Sequence, residues 1–252
     1  MKSLPLDAHA HLDAMLPARA IARAGFVLAM TLSSDEARIA LARADERAVW
    51  GVGCHPRRAR AVRAFDRDEF TELARRSPLI GEIGLDLTSR VPMPAQRATF
   101  RGALAVACAL GRVVSVHPHR TSSAVLDELR RRMPPAAILH WWSGNDEETR
   151  RAVALGCYFS VHRAVARLRI WQDVPPERLL VESDIRYADP PASSPTSVAR
   201  TEVLLAARTA ARPEEIRAGA WRALRAIIAT SRSHALWPRP FLDQVRSEVS
   251  VR

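Results

Sequence analysis

Eight short β-like runs alternate with helical stretches along most of the chain, and this alternation limits the possible folds more than any other feature. The intervening stretches are rich in Ala, Arg and Leu and have the period of an α-helix. Such a pattern is typical of βα units around a parallel sheet. The eight runs span residues 4–9, 26–32, 48–53, 79–83, 112–117, 136–141, 157–161 and 179–182.

Most of the helical stretches begin with Ser, Asp, Asn or Pro, which are the residues that favour helix N-termini. They span residues 34–46, 65–76, 94–110, 122–132, 146–155, 197–211 and 213–230. Eight such units in 252 residues predict an α/β fold, a (β/α)8 TIM barrel, as a single domain over residues 1–252. The last stretch exceeds what eight units need and predicts an extra C-terminal helix. A doubly wound open sheet is the competing fold.

Composition excludes several classes of protein. With 48% hydrophobic and 26% charged residues, the chain can bury a sizeable core. No apolar run approaches the roughly 20 residues of a membrane span, and the N-terminus lacks the apolar stretch of a secretory signal, so we expect a cytoplasmic protein without membrane contact. The three widely separated cysteines, Cys54, Cys108 and Cys157, argue against a disulfide framework and a thiolate zinc site.

The formal charge of +11 arises from 38 basic and 27 acidic residues. A positive field of this size attracts polyanions such as nucleic acid. However, Lys2 is the only lysine, so the arginine excess is equally well explained by the coding bias of a genome. Charge alone leaves both explanations open.

Residues that can bind metal ions lie at the C-terminal ends of the predicted strands, which is where a TIM barrel builds its active site. Alternate residues of a strand point to one face, so His9 and His11 can approach the same ion, although two ordinary loop histidines would give the same pattern. The full set consists of His9, His11, His55, Glu82, His117, His140 and Asp184.

Four of these residues follow apolar runs. Burying Glu82 in its apolar strand is costly unless the carboxylate is paired, protonated or bound to metal, and a bidentate carboxylate can bridge two cations. A structural salt bridge is the alternative. His117 and His140 end adjacent strands and are either ligands or hydrogen-bonded core residues. Asp184 is able to bind metal and accept a proton from the attacking water, or to cap the following segment.

Five ordered motifs carry a resemblance to a known family. They occupy residues 7–13, 81–86, the strand ending at His117, and residues 140–144 and 182–184. Together they resemble the TatD family of metal-dependent deoxyribonucleases, within the amidohydrolase superfamily, over about residues 7–184. The segments 141–144 and 156–160 further resemble the TatD-like member of Qat anti-phage defence operons.

The resemblance implies two divalent metal ions, which the mixed histidine and carboxylate ligands allow to be Zn, Mn or Mg. His9, His11 and Asp184 would hold one ion. His117 and His140 would hold the second, with Glu82 bridging the two. His55 would contact the scissile phosphate, and Asp86 would orient a ligand. Asp184, Glu82 and His55 are therefore the expected catalytic residues.

The chain also departs from the family pattern. The family places an arginine two residues after the histidine of the fifth strand, whereas here Arg120 follows His117 by three residues and is the candidate substitute. After Asp184 the usual proline and Asn-Glu-Pro triplet are missing, and Arg186 is the candidate phosphate contact there. Residues 190–195 form a Pro/Ser-rich stretch that predicts a rim loop. Trp141 would stack an unpaired base, unless it packs in the core.

The leading hypothesis is hydrolysis of phosphodiester bonds in single-stranded DNA, with the 3'-5' exonuclease polarity that the family suggests. Two other functions remain open. The same ligands in this superfamily hydrolyse small amides, esters or modified nucleotides. Alternatively, the altered segment after Asp184 suits a mainly binding subunit of a defence complex, with partner proteins from the same operon.

Overall fold

The computed structural model describes residues 3–23, 25–185 and 194–247. Each of the eight predicted strands is present, and every strand pair is parallel. The strands are β1 (Leu6–Ala10), β2 (Phe26–Met30), β3 (Ala48–Gly51), β4 (Leu79–Asp86), β5 (Val113–His119), β6 (Ala136–Leu139), β7 (Tyr158–His162) and β8 (Leu179–Glu182).

Two seams close these strands into a barrel. Strands β1 to β3 pair in sequence order, as do β4 to β8. Between β3 and β4, the Val52 amide donates to the Leu79 carbonyl (3.1 Å) and the Gly81 amide to the Val52 carbonyl (2.9 Å). Between β8 and β1, the Asp184 amide donates to the His9 carbonyl (3.0 Å). The closed circuit confirms the predicted (β/α)8 fold and excludes the open sheet.

The helices surround the barrel. They are α1 (Ala18–Arg23), α2 (Ser34–Ala40), α3 (Ala59–Arg63), α4 (Arg67–Arg75), α5 (Met93–Leu110), α6 (Ser122–Arg131), α7 (Asp146–Ala154), α8 (Ser194–Thr209), α9 (Pro213–Thr230) and α10 (Arg239–Ser247). Between β7 and β8 the described chain forms two 3-10 turns, Arg169–Gln172 and Pro176–Arg178, in place of an α-helix. None of the described helices has the length and hydropathy that a membrane-spanning segment requires.

The predicted helices differ from the observed ones mainly at their ends. Helix α2 stops at Ala40, six residues earlier than predicted, because the next residues turn so that Arg43 and Trp50 both hydrogen-bond to Asp45. Helix α4 begins after Asp66, whose carboxylate caps the Glu69 amide (2.8 Å). Helix α9 is the predicted extra helix, and α10 follows it. The assignment of residues 1–252 to one domain stays a prediction.

Helices α9 and α10 cover the N-terminal ends of the strands with an aromatic cluster. Trp221 and Phe241 each lie edge-to-face against Phe26, with ring centroids 5.0 and 4.8 Å from it. All three side chains are buried, and the Trp221 indole donates to the Leu4 carbonyl (2.9 Å). This apolar layer seals the end of the barrel opposite the predicted ligands.

We expect Phe241→Ala to lower the free energy of unfolding by about 3–5 kcal/mol, because it empties a fully buried aromatic site. Chemical denaturation followed by circular dichroism measures the change. The control Leu87→Ala, at a side chain that is 63% exposed, should stay within about 0.5 kcal/mol of wild type. A loss below about 1 kcal/mol for Phe241→Ala would show that α10 contributes little to the barrel.

Candidate metal centre

The six predicted metal ligands and His55 converge on one buried centre at the C-terminal ends of the strands. Glu82 lies near the middle of β4 and is 1% exposed, and the other six residues surround its carboxylate. Its two carboxylate oxygens face different groups of ligands. The surrounding side chains come from β1, β5 and the segments that follow β1, β3, β6 and β8.

Oε2 of Glu82 faces the two histidines of the H-x-H motif. The distance from Oε2 to Nε2 is 3.1 Å for His11 and 3.5 Å for His9. Asp184 completes this side, with Oδ1 lying 3.6 Å from Nε2 of His11 and 3.9 Å from Nε2 of His9. His9 and His11 lie at the end of the first strand, and Asp184 follows the last. The three residues meet on one side of Glu82 because β8 and β1 are neighbours in the barrel.

Oε1 of Glu82 faces the histidines of the next two strands. Nδ1 of His117 lies 2.5 Å from Oε1, and Nε2 of His140 lies 3.7 Å from it. The ring of His140 also stacks on that of His9, with centroids 3.6 Å apart, which links the two sides of the centre. The two oxygens of one carboxylate thus face two sets of imidazoles, as a bridging ligand does.

His55 also lies in this centre. Its Nε2 is 3.4 Å from Oε2 of Glu82, and His55, Glu82 and His117 have ligand atoms within 4.8 Å of one another. The same spacing holds for His9, His11 and Glu82. By position, His55 is therefore able to act as a ligand as well as to contact a phosphate.

Three buried polar atoms in the centre lack hydrogen bonds within the described part of the chain. They are both carboxylate oxygens of Glu82 and Nδ1 of His117. Leaving such atoms buried and unpaired is costly, and for a carboxylate the cost is several kcal/mol. Cations placed between the carboxylate and the imidazole nitrogens would remove this cost. The residues present therefore fit a metal centre.

The far ring nitrogens of the histidines are held by other groups. His9 Nδ1 lies 3.0 Å from Ser115 Oγ, and His11 Nδ1 lies 3.2 Å from the Met30 carbonyl. His117 Nε2 lies 3.0 Å from Asp86 Oδ2. Such contacts orient a metal-binding histidine and select the tautomer that leaves the inner nitrogen free.

Glu182 holds His140 in the same way, and the sequence analysis assigned it no role. Its fully buried carboxylate accepts from the Trp141 amide (2.8 Å), lies 3.0 Å from His140 Nδ1 and also contacts Ser160. Burial raises the pKa of Glu182 well above its usual range, against the effect of the Ser160 and Trp141 contacts. One signal was available: Glu182 precedes Asp184 by two residues and interrupts an apolar strand.

The pKa values of the two acidic residues in the centre, Glu82 and Asp184, are shifted in opposite directions. Burial opposes ionisation of Glu82, but the neighbouring His55, His117 and His9 outweigh it and hold its pKa well below the usual range. The pKa of Asp184 is raised, first by burial and despite the nearby His140. Glu82 is therefore anionic, while Asp184 has the greater affinity for a proton.

The chain needs glycine at position 53 to bring β2, β3 and β4 together beside Glu82. A Cβ at Gly53 would lie 2.6 Å from the Glu82 amide nitrogen and still closer to the Thr31 carbonyl. The Gly53 amide instead donates to Thr31 Oγ1 (3.0 Å). A side chain here would force apart the strands that carry the bridging carboxylate.

A cavity of about 240 Å³ opens from the centre to the surface. Trp141 lines it, and one side of its ring is packed on His162, with centroids 3.7 Å apart. Trp142 differs, because it is fully buried and donates to Thr149 Oγ1 (2.9 Å), so it is a core residue. The lining residues are Arg57, Asp86, His117, Pro118, His119, His140, Trp141, Ser143 and Asp184.

The structure describes one of the two arginines that were predicted to contact phosphate, Arg120, but not the other, Arg186. Arg120 is exposed in a left-handed conformation (φ 53°) and lines a neighbouring depression rather than this cavity. Arg57 lines the cavity, with Nε 3.8 Å from Asp86 Oδ2. Arg186 and the start of the predicted rim loop, residues 190–193, lie outside the described residues.

Comparisons with known proteins identify the family of the chain. The family model of TatD related DNases matches residues 6–229. The chain is 30% identical over 246 residues to the "Uncharacterized metal-dependent hydrolase TatD" of Mycobacterium tuberculosis, covering 84% of this chain and 92% of that one. It is 28% identical over 180 residues to the "3'-5' ssDNA/RNA exonuclease TatD" of Edwardsiella piscicida, covering 66% of this chain and 69% of that one.

A solved structure of a TatD homologue has the same fold. The crystal structure of YJJV, a TatD homologue from Escherichia coli K12, superposes with a TM-score of 0.72 at 21% sequence identity, covering 88% of this chain and 97% of that one. At this identity the superposition supports the barrel fold alone. The family assignment follows from the sequence match over most of the chain: this protein belongs to the family of TatD-related DNases.

Proposed function

We propose that this chain is a divalent-metal-dependent deoxyribonuclease that removes nucleotides from the 3' end of single-stranded DNA. The observation that carries the proposal is the position of Glu82, buried without a hydrogen bond from the described residues and facing histidines with both oxygens. The name of the Edwardsiella piscicida relative suggests the substrate and the direction.

The two sides of Glu82 define the proposed ligand sets. His9, His11 and Asp184 would hold one ion, His117 and His140 the other, and Glu82 would bridge them. Such a mixed set of imidazoles and carboxylates suits Zn or Mn, and Mg less well. When bound, two divalent ions lower the pKa of the attacking water and polarise the phosphoryl oxygen.

The remaining chemistry falls to side chains of the centre. Asp184 would accept the proton of the attacking water, a role that fits its raised pKa and its place beside Nε2 of His11. His55, whose side chain is 12% exposed, would contact the scissile phosphate. Its distance of 3.4 Å from Glu82 makes metal ligation the alternative role for this residue.

The cavity suits the end of a strand better than a duplex. Its volume of about 240 Å³ falls below that of ordinary ligand pockets, and Arg57 lies at its wall. Trp141 is held from behind by His162 and would stack the unpaired base next to the cleaved bond. Arg120 would contact a phosphate further from the centre. Arg186, outside the described residues, stays a predicted phosphate contact.

We retain a cytoplasmic location, and the resemblance of residues 141–144 and 156–160 to the Qat group supports a role in anti-phage defence with partner proteins from one operon. Hydrolysis of a small amide, ester or modified nucleotide would use the same centre, and turnover of small substrates measured beside DNA separates the two activities.

We expect protein purified without chelator to contain close to two divalent ions per chain and to degrade single-stranded DNA. EDTA should abolish the degradation, and added Zn or Mn should restore it. Elemental analysis and a gel assay on a 5'-labelled oligonucleotide measure the two results. Fewer than about half an ion per chain under metal-replete conditions would contradict the proposed centre.

Two variants and a substrate panel complete this test. Glu82→Gln and Asp184→Asn should each lower turnover by at least about 10³-fold, the equivalent of several kcal/mol of lost transition-state stabilisation. Unchanged biological function in both would favour a binding subunit. Turnover of small amides, lactones or phosphotriesters, without turnover of DNA, would favour the alternative hydrolase.

Glu182→Gln should weaken metal binding by about 10–100-fold, because glutamine replaces one of the two oxygens that hold His140 Nδ1 and the Trp141 amide by an NH2 group. A metal titration followed by intrinsic tryptophan fluorescence measures the affinity. Glu202→Gln is the matched control, since Glu202 is an equally buried glutamate whose partner is Arg217 (2.9 Å). Equal losses in both variants would assign Glu182 a purely structural role.

Trp141→Ala should raise KM for single-stranded DNA by roughly 5–150-fold, which corresponds to about 1–3 kcal/mol for one stacked base, with little change in kcat. Trp141→Phe should restore most of the affinity. Hydrolysis of bis(p-nitrophenyl) phosphate, which offers no base, should be the same for all three proteins. If KM for DNA is unchanged in Trp141→Ala, Trp141 does not stack the substrate.

A further inference from the structure

Two depressions continue from the cavity down one side of the barrel. The first shares Ser143 with the cavity and is also lined by Arg120 and Arg97. The second lies between α4, α5 and α6 and is lined by Arg101, Arg131 and two further arginines. Arg97 connects the two depressions, because its side chain and that of Arg101 contact the same glutamate.

That glutamate is Glu128, which positions three arginines on the surface. It is buried, with 2% of its side chain exposed, and accepts from Arg97 Nη1 (2.8 Å) and from Arg101 Nε and Nη2 (2.8 Å each). Arg131 Nη1 lies 3.5 Å away. One carboxylate therefore holds three guanidinium groups, and two positive charges remain unbalanced.

The three arginines keep donors for another partner. A guanidinium has five N–H donors, and Arg101 uses two of them for Glu128. The side chains of Arg101 and Arg131 are 54% and 63% exposed. An ordered guanidinium with free donors loses little side-chain entropy when it binds a phosphate. Glu128 therefore prepares a surface that can contact the backbone of a nucleic acid.

The rim of the cavity continues this positive surface. Arg57 lines the cavity, and Arg120 lines the first depression beside it. Together the two depressions are lined by six arginines and two glutamates, Glu128 and Glu148. Glu148 is engaged by the Ser123 and Asn145 amides (3.1 and 3.0 Å).

A third depression, beside the H-x-H strand, is lined by more carboxylates than arginines. It has a volume of about 870 Å³ and begins at Asp13. It is lined by four carboxylates and only two arginines: Asp13, Asp35, Glu36, Glu69, Arg58 and Arg60. Arg38 is ion-paired with both Asp35 and Glu69, so this depression has little net charge. A polyanion leaving the cavity is therefore attracted more strongly to the side of α5 and α6.

We infer that Arg120, Arg97, Arg101 and Arg131 form an arginine track that binds the 5' portion of the single-stranded substrate while its 3' end occupies the cavity. The inference rests on the proposed nuclease function and adds to it a path and a preference for long strands. The contacts are to phosphates, so the track reads no sequence and its strength falls with salt.

The test compares the double variant Arg97→Gln/Arg101→Gln with the control Arg222→Gln/Arg225→Gln. Glutamine removes the charge but keeps an N–H donor in the side chain. The control removes two exposed arginines from α9, which covers the other end of the barrel. Fluorescence anisotropy measures binding of single-stranded oligonucleotides of about 20 and about four nucleotides, with EDTA present to stop cleavage.

Each lost phosphate contact should lower the slope of log K against log salt by about 0.7, which is about fivefold in affinity near 0.1 M salt relative to 1 M. The double variant should therefore bind the long oligonucleotide about 25-fold more weakly, with its slope reduced by about 1.4. The short oligonucleotide and the control variant should stay within about twofold of wild type.

The single variant Arg120→Ser provides an independent test in case the double variant does not fold. The Arg120 side chain is exposed and forms no ion pair with any described residue, so its loss should leave the melting temperature unchanged. It should weaken binding of the long oligonucleotide alone by about fivefold. Equal effects on long and short strands, or no effect in either variant, would overturn the track.

Cleavage is measured separately, so that the two proposals can fail independently. Degradation of DNA combined with binding that does not depend on strand length would leave the nuclease proposal standing and remove the track. Preferential binding of long strands that is lost in the track variants, without any metal-dependent cleavage, would do the reverse.

Discussion

The structure depends on one costly interaction, the burial of the Glu82 carboxylate among histidine nitrogens that lie close to it but form no hydrogen bond with either oxygen. In a barrel interior such a charge is tolerated only if other charges balance it. The imidazoles balance it only in part: burial lowers the pKa of His140 to about 4 and of His55 to about 3, whereas the Glu82 and Asp86 carboxylates raise the pKa of His117 to about 9 despite its burial. Divalent cations between the carboxylate and the neutral rings would satisfy all of them.

The centre depends on the two seams, between β3 and β4 and between β8 and β1, that close the strands into a barrel. The seam between β8 and β1 brings Asp184 beside His9 and His11, and the Asp7 carboxylate reinforces it by accepting from the Ser183 amide (3.0 Å). The seam between β3 and β4 brings His55 beside Glu82. Neither neighbourhood exists in an open sheet, so the metal centre and the closed fold are two consequences of the same strand order.

Much of the fold and of the site could be predicted from the sequence, and the failures have physical causes. Apolar runs marked the strands, and polar residues at their ends marked the centre. Helix α10 was not predicted because it is only nine residues long and follows the eight units that already complete the barrel. Glu182 was missed because its role depends on the register between β6 and β8. Arg120 turns towards the neighbouring depression after β5, through a backbone conformation that the sequence does not reveal.

The most direct test of the central claim is a crystal structure of the metal-loaded protein with data collected at the absorption edge of the metal. The account predicts two anomalous peaks about 3.5–4 Å apart, one bonded to each carboxylate oxygen of Glu82, with His9 and His11 at one peak and His117 and His140 at the other. A single peak away from Glu82, or a Glu82 side chain that hydrogen-bonds only to protein groups, would contradict the account.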